Sequence, residues 1–394
     1  MDVNNLLFNI ATGEYKHIEL SNQNQDLLIE RARENRLIDP LLNSKQSLEI
    51  KEGDWVLKGH KRKMRFEELG NVIKELNREN IEFLNLKGLA MLKYYNEDVV
   101  RQSNDFDFLI RNIENFWKTH NVLTSMGYNF FYIPMFTKLN EISGIVKYQK
   151  KLDEKTFIWI EINIANYVIS ETTWFQDKDL WLDTQLINYQ GIEFKIPNDN
   201  MNLVLLVIEA SGRENLFIRD IVDFYFIENA GEIDFDFVTE KLRDKFLLKV
   251  LNKLQKNNTS LKLEDSNVNF KINKFDREFK YEIPKTIVNG NISKFYCKYI
   301  KIFGDLLVNK NILLSLVRKF DLIMSPKYRF ESGVICNFYP LDMGECGNLM
   351  WRKYKKYHVV TTPIGTFLAT NFCLLEEKEE ENIKELLMGR NKNE

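Results

Sequence analysis

The spacing of apolar residues changes several times along this chain, and each change predicts an element. From Asn24 to Leu42, Leu27, Leu28, Ala32, Leu37 and Ile38 recur near helical spacing until Pro40 breaks the pattern, which predicts a short amphipathic helix. A stronger helix is predicted from about Arg65 to Arg78, with Phe66, Leu69, Val72, Ile73 and Leu76 on one stripe and charges on the other face. The period then shortens. Ile81 to Leu86 is a brief apolar run closed by Lys87-Gly88, which suits a buried strand, and LAMLKYY resumes a helical spacing. Strict alternation from Asn104 to Ile110 predicts a second strand, followed by a helix from about Ile113 to Met126 that stops at Gly127.

A third strand, Thr156 to Ile164, alternates Phe157, Trp159, Glu161 and Asn163 against four isoleucines. After IEFKIP, helices are predicted through LVLLVIEA, through FIRDIVDFYFIE and near residues 235 to 255. A polar, lysine-rich stretch leads to a further helix near Lys294 to Phe320. RFESGVICNFY and YHVVTTPIGTFLATNFCLL then read as strands, and EEKEEENIKELL as a charged helix. Four segments follow: residues 1–62, helical or irregular; 63–197, an α+β core; 198–325, mostly helical; and 326–394, β-rich with a helical end.

Composition narrows the classes. A chain of 394 residues favours several modules, and 44% hydrophobic with 13% aromatic content excludes disorder as its general state. A net charge of -2 gives no global basic field, so long nucleic acid is not an expected partner. The four cysteines lack C-x-x-C pairing and read as reduced thiols. No basic-then-apolar leader and no apolar run of about 20 residues is evident, so a cytoplasmic protein without a membrane partner is expected. The four histidines are scattered, which argues against a zinc site or a Ser-His-Asp triad. The basic, aromatic stretch Gly347 to His358 suits an RNA or phosphate surface, though an ordinary solvated face has the same composition.

The chemistry concentrates in Asn104-Asp105-Phe106-Asp107-Phe108-Leu109. Period-two geometry sends Asp105 and Asp107 to one face and the two phenylalanines to the other. Paired carboxylates repel unless a cation joins them, and Mg²⁺ takes oxygen ligands while leaving positions for phosphate. A solvated acidic strand would look the same, so context decides. Lys87-Gly88 offers a flexible turn and a point charge for phosphate, where the plain alternative is an exposed βα turn. Arg101 is placed to pair with a ligating carboxylate or touch triphosphate, or else to make a surface ion pair. Glu161, opposite the aliphatic face of its strand, is a candidate third metal ligand or proton acceptor; without such a role it should face water.

The segment LNLKGLAMLKYYNEDVVRQSNDFDFLI resembles the core of the bacterial uncharacterised nucleotidyltransferase family, a branch of the DNA polymerase beta-like nucleotidyltransferase superfamily. Lys87-Gly88, Tyr94 or Tyr95, Arg101, Asp105 and Asp107 occupy the family's motif positions, and Met126-Gly127-Tyr128 its helix ending. Glu161 matches a family glutamate, while Asn163 stands where the family has histidine. Arg219 to Asp223 resembles a helical segment with a fixed aspartate, and Glu209 to Arg213 lacks the family's histidines.

This resemblance implies an α+β fold, a small mixed sheet flanked by helices, with a helical domain after it. It implies Mg²⁺, or Mn²⁺, held by Asp105, Asp107 and Glu161, with Lys87, Gly88, Arg101 and Asn163 around the nucleotide. The implied reaction moves a nucleoside monophosphate, AMP from ATP by default, to a peptide, small-molecule or protein acceptor and releases pyrophosphate, in a setting such as modified-peptide biosynthesis. Two alternatives accompany it: an inactive binding subunit of the same fold, and a toxin-type enzyme that modifies tRNA or protein.

Overall fold

In the computed structural model, placement is described for residues 3–14, 21–44, 52–95, 101, 103, 105–130, 135–138, 142–164, 177–211, 216–242, 245–259, 327, 336–344, 349–354 and 357–370. The helix expected near Lys294 to Phe320 and the final charged helix lie outside these residues.

Alternation writes the sheet. Strands β1 (Phe83–Leu86), β2 (Asp105–Ile110), β3 (Asn129–Phe130), β4 (Met135–Lys138), β5 (Ile142–Lys151) and β6 (Phe157–Ile164) come from the first half of the chain. A hairpin of β7 (Gln185–Tyr189) and β8 (Ile192–Ile196) stands apart as its own two-stranded sheet. Strands β9 (Cys336–Asp342), β10 (Met350–Tyr354), β11 (Tyr357–Thr362) and β12 (Gly365–Thr370) follow. Among the described residues the main sheet has the order β1-β2-β6-β5-β4-β9-β12-β11-β10, with β3 also on β5. Its β2–β6 pair is parallel and its other pairings are antiparallel, so the sheet is mixed.

The helices are α1 (Val3–Thr12), α2 (Asn22–Glu34), α3 (Ile38–Asn43), α4 (Glu52–Arg78), α5 (Ile113–Ser125), α6 (Asp177–Trp181), α7 (Asp199–Ser211), α8 (Ile218–Ala230), α9 (Phe235–Leu242) and α10 (Lys245–Thr259). The single helix expected over Asn24 to Leu42 is two, divided at Asn35–Leu37. Pro40 does not break it, because it sits in the first turn of α3, where its missing N–H is not needed. The helix expected over LAMLKYY is one short 3-10 turn, Ala90–Lys93. Helix α5 is closed at both ends by local chemistry. The Asn112 side chain accepts from the Asn115 N–H at 2.9 Å, and Gly127 takes a φ of 84° that suits glycine.

Each face of the sheet has its own core. Phe106, Phe108 and Ile110 of β2 join the isoleucines of β6 against α4 and α5. Leu84, Leu86 and Leu109, from the opposite face, pack with α1–α3, α7, α8 and α10. Asp105, Asp107 and Glu161 share that second face by period, so they look toward the helical module.

Phe108 is fully buried and meets the Phe83 ring edge-on at a centroid distance of 5.7 Å. Phe108→Ala is expected to lower unfolding stability by about 3–5 kcal/mol in urea titration, through lost burial and a cavity.

Candidate active site

Strand register brings the acids together. In the parallel β2–β6 pair Asp107 lies opposite Glu161, and on the other side of β6 Lys147 of β5 lies opposite the same glutamate. Asp107 and Glu161 are 3% and 7% exposed, whereas Asp105 at the start of β2 is exposed. Glu161 therefore does not face water as a solvated strand acid would. Immediately after β1, Lys87 adopts a left-handed φ of 50°. Its Nζ lies 2.7 Å from Asp107 Oδ1, 3.4 Å from Glu161 Oε1 and 3.8 Å from Glu209 Oε2 of α7. From the far side, Lys147 Nζ approaches Glu161 Oε2 at 2.5 Å.

These contacts divide the two acids electrostatically. Burial opposes the charged form of Glu161, yet Lys87 and Lys147 outweigh it and hold its carboxyl well below the usual range. Burial also pushes Asp107 upward, and there it prevails over Lys87 because Glu161 and Asp105 add like charge. Lys147 is held above the ordinary lysine range: burial opposes its charge, and Glu161 more than offsets that.

The turn after β1 is crowded. A Cβ on Gly88 would come within 2.7 Å of Ser103 Oγ and 3.0 Å of Arg101 Nη1, so this position admits no larger side chain without movement. Ser103 Oγ donates to the Asp105 carbonyl at 2.9 Å, which fixes the entry into β2. Arg101 does not pair with the β2 acids. Its Nε and Nη2 donate to the two oxygens of Asp223 on α8 at 2.8 and 2.7 Å, and Tyr95 Oη donates to the same carboxylate at 2.6 Å. Arg101 and Asp223 are both buried, so this fork ties the segment before β2 to the helical module.

Between the sheet and the helices lies an open cleft with about 720 Å³ of empty space. Lys87, Gly88, Arg101, Asp105 and Asp107 line it, joined by Arg36, Glu209 and Arg219. Glu161 stands behind Lys87, beneath this surface. Asn163 lies two residues beyond Glu161 on the same face, fully buried, with its amide 3.4 Å from the Phe108 carbonyl, and it does not line the cleft. Sequence reading missed Lys147 and Arg36. Lys147 is one of several lysines in a strand whose partner depends on register, and Arg36 belongs to a distant segment.

Asp105, Asp107 and Glu161 carry the oxygen donors that a hard divalent cation takes. Among the described residues, however, no group of three acidic, histidine or cysteine side chains converges as a metal cluster. The Lys87 ammonium stands against both buried acids and Lys147 against Glu161, so these two lysines carry the positive charge beside the acids in this arrangement.

The family model described as uncharacterised nucleotidyltransferase matches residues 21–254. Among solved structures, an antigenic nucleotidyltransferase-like protein from Paracoccidioides brasiliensis is similar at 16% identity and a TM-score of 0.33, covering 49% of this chain and 89% of that one. JHP933 from Helicobacter pylori is similar at 16% identity and a TM-score of 0.27, covering 48% and 75%. No curated protein matches the chain in sequence.

Arg101→Ala would leave the Asp223 carboxylate buried without its fork, and a loss of about 3–5 kcal/mol in stability is expected by urea titration. Burial opposes the charge on Asp223, but Arg101, then Arg219 and Tyr95, hold its carboxyl below the usual range. Its folded pKa being lower than its unfolded one, this contribution is complete above about pH 4 and is lost as pH falls toward the folded value. A plot of the urea midpoint against pH should fall on that acid limb, and Asp223→Asn should flatten that part of the fall.

Proposed function

We propose that this chain, which belongs to the uncharacterised nucleotidyltransferase family, is a metal-dependent enzyme that moves a nucleoside monophosphate, AMP from ATP by default, to a peptide, small-molecule or protein acceptor. The observation that carries the proposal is the register of β2 on β6. It puts Asp107 beside Glu161 behind a cleft whose rim holds Asp105. Three acids at the end of a strand pair, next to a glycine that keeps the wall low, suit binding of a triphosphate with its cation.

Asp105, Asp107 and Glu161 would hold Mg²⁺ or Mn²⁺, and a cation there neutralises phosphate charge and polarises the α-phosphate for attack. The chain's own groups bind and orient. Lys87, on the turn after β1, would supply a charge to phosphate. Gly88 leaves room for Ser103 and Arg101 to pack on the turn, and the fork of Arg101 on Asp223 keeps that wall in register with α8. An acceptor hydroxyl or amine then bonds to the α-phosphorus and gives up its proton to solvent while the bond to the bridging oxygen breaks, and pyrophosphate leaves with the electron pair. No described helix is long and apolar enough to cross a membrane, and a cytoplasmic site of action in bacterial modified-peptide biosynthesis agrees with that.

One observation favours a second reading, a nucleotide-binding chain without transfer. Lys87 already satisfies the buried acids, as it would where no metal is needed. Incubation with α-labelled ATP, GTP, CTP and UTP plus Mg²⁺ separates the two. A transferase labels an acceptor and releases pyrophosphate, and Asp105→Asn or Asp107→Asn should each reduce that release about 100-fold or more. Release that survives both substitutions sinks the proposal; ATP binding without any release supports the second reading.

A further inference from the structure

Backbone strain marks a second cation on the cleft. Among the described residues, the non-glycine positions with left-handed φ are Arg36, Asn80, Lys87, Asp183 and Gln190. The two cations in that set both line the cleft. Lys87 belongs to the carboxylate site, but nothing above uses Arg36. At a φ of 55°, Arg36 closes helix α2: its N–H donates to the Arg33 carbonyl at 3.3 Å, and the next N–H, of Leu37, reaches back to Ala32 at 2.8 Å. Helix endings of this pattern favour glycine at that position, because a Cβ is strained there. A long charged side chain held where glycine would fit better points to a function that the fold itself does not need.

The arginine is also aimed. Its guanidinium stands over the Phe217 ring at 5.4 Å from the centroid, and the Asn35 side chain accepts from the Ile218 N–H at 2.8 Å. The corner between α2 and α3 is thus fastened to the start of α8, and the arginine is carried to the cleft. The other cations there are engaged with acids. Lys87 meets Asp107 and Glu161, Arg101 is forked on Asp223, and Arg219 lies close enough to depress that same carboxyl. Among the described residues, no carboxylate pairs with Arg36.

Resting on the transferase reading, we infer that Arg36 binds the terminal phosphates of the nucleoside triphosphate, those that depart as pyrophosphate. Asp105 and Asp107 of β2 bring oxygen donors to one wall of the cleft and so suit the cation at the α-phosphate. The departing phosphates gain charge as the bond breaks, and Arg36, which no described carboxylate pairs with, can meet that charge from the wall opposite Lys87's strand. A guanidinium presents paired donors to phosphate oxygens, and the aromatic ring beside it offers a contact that does not cancel its charge.

Calorimetric titration of the full chain with Mg-ATP, AMP and inorganic pyrophosphate tests this, using the unaltered protein, Arg36→Gly and Arg36→Gln. Glycine suits the backbone, so Arg36→Gly is expected to melt at or above the temperature of the unaltered protein. Its affinity for ATP and pyrophosphate should nevertheless fall about tenfold or more, with AMP binding unchanged. Arg36→Gln keeps the Cβ and much of the length and should show the same loss. If either variant, folded, binds ATP and pyrophosphate as the unaltered protein does, the inference fails while the transferase reading stands. An equal loss for AMP also overturns it, since the contact would then be to the nucleoside monophosphate. An unaltered protein that binds neither ATP nor pyrophosphate overturns both.

Discussion

Asp107 and Glu161 stand on adjacent parallel strands, nearly sealed from water, and burying two neighbouring carboxyls is costly unless cations offset it. Lys87 and Lys147 intervene from opposite sides, and the rest of the site follows from that need. The turn after β1 takes a strained conformation at Lys87 because its ammonium has to reach over the strand end. The helices then close above a floor that is already neutralised, and Glu209 of α7 adds its own contact to Lys87. Such a floor is stable without a bound metal and still rich in oxygen donors.

A second constraint joins the two halves of the cleft. The sheet alone would leave the segment before β2 as an unsupported approach. Arg101 fastens it to α8 through Asp223, and Tyr95 completes the carboxylate's partners. A second network joins α7, where Asp199 at its start accepts from Lys93 and from Tyr94, and Asn202 donates to that tyrosine. These buried polar contacts set the orientation of the helical module on the sheet, something apolar packing alone specifies loosely.

Much of this was legible in the residues. The alternation of DFDFLI and FIWIEINI fixes both strands and which side chains share a face, and the acid pair with Lys87-Gly88 comes together on the cleft as its spacing implies. What was hidden depends on partners distant in the chain. Nothing in VKYQKK says that Lys147, among its lysines, will oppose Glu161; only the β5–β6 register decides it. Arg101 was placed near the acids correctly in sequence, but its donors match the geometry of Asp223, far along the chain, better than the β2 carboxylates beside it. Pro40 misled because its position within a helix matters more than its presence. The stretch Gly347 to His358 reads only as an RNA or phosphate surface or an ordinary solvated face, and its described part forms the hairpin of β10 and β11.

The attachment of β9 to β4 has a consequence for how the molecule comes into being. Met135 and Phe136 pair with Asn337 and Cys336, across about half of the chain's length. During synthesis the first half can assemble β1, β2, β6 and β5 from nearby segments, but β4 is left as a bare border until β9 emerges from the ribosome. Pairing of segments so remote closes a long loop and is slow. Over that interval the nascent chain carries an uncapped hydrogen-bonding edge, the kind of surface on which copies made side by side adhere. Completion of the C-terminal strands thus guards the nascent molecule against its neighbours as well as extending its sheet.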